Sequence, residues 1–165
     1  MKILAAAAAA TITLSPAPAD PPKAPTILVG PDRPLMDQRV NLTVFGLTPN
    51  APVTVTARSV AQDGVVWRSA ATFRANATGA VWPSEQAPMS GSYRGVDGMG
   101  LFWSMTADAK AGHRQAFAAQ DLNRPQITAI AVSQVGRPAA SRVLERRFSW
   151  GGIRATSVRG GVTGV

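Results

Sequence analysis

A chain of 165 residues has room for one domain and for a buried core that needs no covalent staples. It has no cysteine and a single histidine, His113. Disulfides, thiolate metal sites, a cysteine nucleophile and a multi-histidine metal centre are therefore excluded. Seventeen basic residues against nine acidic ones give a net charge of +8. Fourteen of the basic residues are arginines, spread singly except for Arg146-Arg147. No basic run is interleaved with aromatics, as a single-strand binder requires, so the charge reads as a compositional bias and not as a nucleic-acid partner.

The N-terminus has the three parts of an export signal. Lys2 is the positive start, Ile3 to Leu14 is an Ala-rich apolar run, and Ala17-Pro18-Ala19 is a small-x-small cleavage site before Asp20. The apolar run is shorter than the ~20 residues that span a bilayer. Residues 1–19 are therefore expected to be a signal peptide, with the product periplasmic or secreted after cleavage near Ala19. Losing Lys2 takes the net charge from +8 to +7. Pro16, Pro18, Pro21, Pro22 and Pro25 follow closely, and such a stretch favours extended polyproline backbone. Residues 20–25 read as a Pro-rich tether. Nothing further along is apolar enough to cross a membrane.

After Pro25 the pattern has period two. Thr26–Val29 is a short strand ended by Gly30-Pro31. Arg39–Phe45 places Val40, Leu42 and Val44 on one face. Gly46 and the Pro49–Pro52 cluster turn the chain into Val53–Val60, with Val53, Val55 and Ala57 inward and Thr54, Thr56 and Arg58 outward. Asp63-Gly64 is a hairpin turn. Val65–Ala75 follows, with Trp67, Ser69, Ala71 and Phe73 on one face, and Asn76–Gly79 turns it back into Val81-Trp82. Further strands are expected at Met99–Met105, Gln126–Ser133 and Arg142–Phe148, with a short helix or ordered loop over Asp108–Asn123. Seven or eight strands at intervals of about ten residues predict an all-β, two-sheet sandwich over residues 26–150.

A search for chemistry returns little. None of the eleven serines has a glycine two residues before it, so there is no nucleophile elbow. His113 lies on a polar stretch with no acid or serine that sequence can pair with it, and is expected at the surface. The carboxylates are scattered, and no glycine-rich phosphate loop opens a helix. No catalytic, cofactor-binding or metal-ligating residue is assigned. The distinctive stretch is Gly91-Ser92-Tyr93-Arg94-Gly95-Val96-Asp97-Gly98-Met99-Gly100-Leu101-Phe102-Trp103-Ser104-Met105. Its glycines imply tight turns or close backbone approach, and its apolar end is expected in the core, with part of one face free to dock on another domain.

That stretch resembles the Gly-x-Tyr-x-Gly-Val-x-x-Met-Gly-Leu-x-Trp-Ser-Met run of the acyl-CoA thioesterase / bile acid-CoA:amino acid N-acyltransferase family, in its N-terminal domain. Val53–Arg58, Trp67-Arg68-Ser69, Phe73-Arg74-Ala75 and Leu144-Glu145-Arg146-Arg147-Phe148 are similar to the same family. The resemblance implies an immunoglobulin-like sandwich placed before an α/β-hydrolase domain that holds a Ser or Cys nucleophile with Asp and His partners. None of those residues is carried over to this sequence. Val158–Val165 is similar to the first hydrolase strand, so residues 151–165 are expected to begin that domain. The expected role is a non-catalytic domain whose partner is an α/β-hydrolase domain in cis or in trans. The alternative is a free-standing exported immunoglobulin-like binding module. Acyl-CoA esters are mainly intracellular, so an exported relative would act on another ester or thioester.

Overall fold

The computed structural model describes residues 23–108, 116–149 and 151. The expected signal peptide, residues 20–22 of the tether, His113, and all but Gly151 of the expected hydrolase start lie outside the described residues. The strands are β1 (Thr26–Gly30), β2 (Asn41–Phe45), β3 (Pro52–Val60), β4 (Val66–Arg74), β5 (Ser90–Gly91), β6 (Thr106–Ala107), β7 (Gln126–Ser133) and β8 (Ala140–Arg146). One single-turn helix, α1 (Gly100–Trp103), interrupts them. Two sheets form: β1-β2, and a six-stranded sheet ordered β5-β4-β3-β7-β8 with β6 also on β4. The all-β, two-sheet reading holds.

The alternation read from the sequence sets which side chains meet. Val53, Val55 and Ala57 of β3 pair with Phe73, Ala71 and Ser69 of β4, and all six are buried. Val55 and Ala57 pair on the other side with Val132 and Ile130 of β7. Ile27, Leu42 and Val44 of the small sheet complete the same core cluster. Each large aliphatic or aromatic side chain removed from water this way contributes about 1.5–3 kcal/mol. Outward, the Thr54 and Thr72 hydroxyls meet at 3.2 Å across β3 and β4.

The turns follow their residues. The Asp63 carboxylate accepts the Val65 N–H at 3.0 Å, and Gly64 takes φ +80°. Asn76 Oδ1 accepts from Thr78 N, Thr78 Oγ1 and Ala80 N, at 2.9–3.0 Å. Gly79 lies so close to the Leu47 carbonyl, at φ +72°, that a side chain would collide with it. This turn carries the chain from the large sheet to the small one, where Val81 bridges Val44 of β2.

Several expectations are corrected. Met99–Met105 is not a strand: Gly100–Trp103 is the helical turn α1, because Leu101 and Phe102 are both buried and a one-faced strand cannot bury consecutive residues. Val81-Trp82 supplies a single bridge and no strand. Arg142–Phe148 is displaced to Ala140–Arg146, the length over which β7 offers backbone partners. Residues 116–123 form no helix; they are an irregular loop tied down by Gln62 N donating to Ala118 O at 2.9 Å. Residues 109–115 of that segment lie outside the described residues.

Candidate functional site

The Gly91–Met105 stretch runs along the β4 edge of the large sheet, between the pairings of β5 and β6 with β4. Gly91 enters it at φ +146°, hydrogen-bonded as β5 to β4, where a Cβ would collide with the Ala70 carbonyl. The Ser92 N–H donates to Ala70 O at 2.8 Å, and the Ser92 and Ser104 hydroxyls meet at 2.7 Å. The two ends of the motif are thereby closed onto each other.

Asp97 organises the turn between them. Its Oδ1 accepts the Met99 N–H at 2.7 Å, an Asx turn that leads into α1. Its backbone carbonyl accepts the Gly100 N–H at 3.1 Å. Its Oδ2 accepts the Trp103 indole N–H, again at 2.7 Å. One carboxylate thus fixes both the start of the helical turn and the orientation of the indole at its end.

Gly100 packs directly on the Tyr93 ring; a Cβ there would fall inside the ring's contact distance. Tyr93 is only 4% exposed, and its hydroxyl is buried without a hydrogen-bond partner. Burial, reinforced by the Asp97 charge, raises its pKa from 10.0 to about 12. Leu101 and Phe102 enter the core cluster, and Ser69 Oγ donates to the Leu101 carbonyl. Trp103, by contrast, is 61% exposed, and nearby in sequence Val96 is 58% exposed.

A cavity of about 420 Å³ lies beside this turn, lined by Arg39, Asn41, Ser84, Val96, Asp97 and Met99 among others. Ser84 and Asp97 both line it, but the Asp97 carboxylate is hydrogen-bonded to the Met99 N–H and the Trp103 indole and not to the Ser84 hydroxyl. Among the described residues no group of three or more His, Asp or Glu side chains could hold a metal ion. The buried serine hydroxyls are occupied: Ser59 donates to Ile127 O at 2.6 Å, Ser69 to Leu101 O, and Ser104 meets Ser92. No helix of the described residues is long and apolar enough to cross a membrane.

The sequence singled out the stretch but not the Asp97–Trp103 contact within it. An Asp two residues before Met99 in a glycine-rich turn is the pattern that would have marked the Asx turn. The reach of the second carboxylate oxygen to an indole six residues on has no local signature.

Residues 37–160 match the family described as the acyl-CoA thioester hydrolase/BAAT N-terminal region, and the chain belongs to that family. It is similar to acyl-coenzyme A thioesterase 3 of Mus musculus, 33% identical over 84% of this chain and 33% of the relative. It is similar also to the mitochondrial acyl-coenzyme A thioesterase 2 of Rattus norvegicus, 30% identical over 76% of this chain and 28% of the relative. The chain therefore spans about a third or less of these relatives' length. Among solved structures, macromomycin aligns over 76% of this chain and 99% of its own, at 17% identity and a TM-score of 0.38, a likeness that carries no argument.

Proposed function

We propose that this chain is the immunoglobulin-like, non-catalytic domain of an acyl-CoA thioesterase-type protein. In this reading thioester hydrolysis or acyl transfer resides in an α/β-hydrolase domain, joined in cis or supplied in trans. The observation that carries the proposal is Trp103: it belongs to the motif, is held by Asp97, and stands largely in solvent. A rigid aromatic with a fixed rotamer is what an interface uses as an anchor. The family match over residues 37–160 and the relatives' printed thioesterase names support the choice of partner. The N-terminal three-part pattern supports export, and an exported protein would act on an ester or thioester other than intracellular acyl-CoA.

The test pairs the purified chain with a separately expressed α/β-hydrolase domain carrying a Gly-x-Ser/Cys-x-Gly elbow. Expected are co-elution at micromolar concentration, thioester turnover by the pair and none by the chain alone. Trp103→Ala should weaken the complex by roughly tenfold or more. The exported chain should have the mass of a protein starting at Asp20. Saturable thioester turnover by the chain alone sinks the proposal, and so does a failure to associate.

A further inference from the structure

At the end of the large sheet's inner face, adjoining strands bring unspent hydrogen-bond donors together. Gln126 and Thr128 of β7 pair with Arg146 and Leu144 of β8, which places Thr128 and Arg146 as diagonal neighbours. Arg146 is 7% exposed, and its Nε is buried with no hydrogen-bond partner. Thr128 is 0% exposed, and its hydroxyl is equally unpartnered. A buried polar group without a partner is costly, and a buried charge without a counter-charge more so.

Among the described residues no carboxylate forms an ion pair with Arg146; the ion pairs are Arg33–Glu145, Arg68–Asp108 and Arg124–Asp121. Asp97 is engaged by the Met99 N–H and the Trp103 indole. Of the chain's acidic residues, only Asp20 lies outside the described ones. The Arg146 guanidinium stacks instead on the Phe102 ring, at 5.0 Å from its centroid. Burial lowers its pKa, as expected of an uncompensated cation.

Arg146 and Thr128 line one cavity of about 170 Å³. Its other walls include Met36, Trp67, Phe102, Trp103, Met105 and Phe117. Trp67 and Phe117 stand edge to face at 5.6 Å. Two further polar residues, Ser59 and Gln126, have spent their donors within the fold: Ser59 Oγ on Ile127 O at 2.6 Å, and Gln126 Nε2 on Ser59 Oγ and Val60 O at 2.9 and 3.2 Å.

We propose that this cavity is a binding site for a small aliphatic carboxylate, whose oxygens take the free Arg146 and Thr128 donors while its alkyl part lies against the aromatic and methionine walls. A guanidinium edge presents two parallel N–H groups, which match a carboxylate. A phosphate would bring further oxygens that the spent Ser59 and Gln126 donors could not satisfy. The size fits a short acid, since a cavity of roughly 150 Å³ holds a benzene-sized molecule.

The test is a titration of the 165-residue chain with butyrate, and with butyramide as its neutral counterpart, followed by tryptophan fluorescence from Trp67 and Trp103. Expected is saturable binding of butyrate in roughly the millimolar range. Butyramide should bind about tenfold more weakly or worse, because it lacks the charge-assisted bond. Arg146→Gln should abolish the preference. Arg147→Gln should leave it intact, because Arg147 lines a different cavity with Leu122, Pro125 and Phe148. If Arg146→Gln fails to fold, the comparison of the two ligands on the unsubstituted chain still decides. Equal binding of butyrate and butyramide, or no saturable response to either, overturns the proposal.

Discussion

The Asp97 carboxylate accepts the indole N–H of Trp103 at 2.7 Å while its other oxygen holds the Met99 N–H at the same distance. A single acidic side chain thereby joins backbone turn, helix start and exposed aromatic. Asp97→Ala removes both bonds at once. The contact is partly solvated, so the expected loss is about 1–2 kcal/mol. A domain of this size should then melt roughly 3–6 °C lower in thermal unfolding. Tryptophan anisotropy should fall as the indole is released. An unchanged melting temperature and anisotropy would show that the two bonds do not hold the turn.

The Tyr93 hydroxyl gives the fold a pH dependence of known sign. Its pKa is about 12 in the folded chain against 10.0 for the free side chain. The folded state therefore keeps the proton over a range in which the unfolded state releases it. The stability tied to this group is complete below pH 10 and is lost as pH rises toward 12. A shift of this size, discounted for partial solvation, corresponds to about 1–2 kcal/mol. Tyr93→Phe should remove this alkaline loss, so the stabilities of the two proteins from urea unfolding should diverge as pH rises from about 9 to about 11.5. Near neutrality the substitution should be neutral or slightly stabilising, because it deletes a buried hydroxyl that has no partner. A parallel fall in both proteins would refute the assignment.

Gly100→Ala tests the close approach of α1 to the Tyr93 ring. The added methyl meets aromatic carbons that are themselves packed in the core, so neither side yields cheaply. The expected cost is about 1–3 kcal/mol. Helix propensity alone would predict the opposite sign, since Ala is favoured over Gly by roughly 1 kcal/mol inside a helix. Chemical denaturation separates the two: a stabilised variant would mean that the ring moves aside freely.

Much of the sandwich was legible because strand periodicity is a local property. Alternation alone puts Val53, Val55 and Ala57 inward and groups Trp67, Ser69, Ala71 and Phe73 on one face, and all of these but the half-buried Trp67 are buried. The Asp63-Gly64 and Asn76–Gly79 turns were legible for the same reason: their hydrogen bonds close within a few residues. The helical turn Gly100–Trp103 was misread as a strand. A short apolar run does not distinguish the two, and the choice came from Asp97 and from the room that Gly100 leaves over Tyr93.

The site followed the same division. The Gly91–Met105 stretch stood out in the sequence, and the family it suggested is the one the chain belongs to. Arg146 stood out only as part of the Arg146-Arg147 pair and the Leu144–Phe148 run, and neither feature marks an arginine as buried.

By itself, then, the sequence determined the inward and outward faces of the main strands, the turn positions and the family. Each depends on residues close together along the chain, or on a motif whose order is its identity. Only the tertiary structure decided that Trp103 stands out held by Asp97, and that Arg146, Thr128 and Phe102 close one cavity. Those groups come from β7, α1 and β8, and strand pairing rather than sequence distance sets which of them share a space.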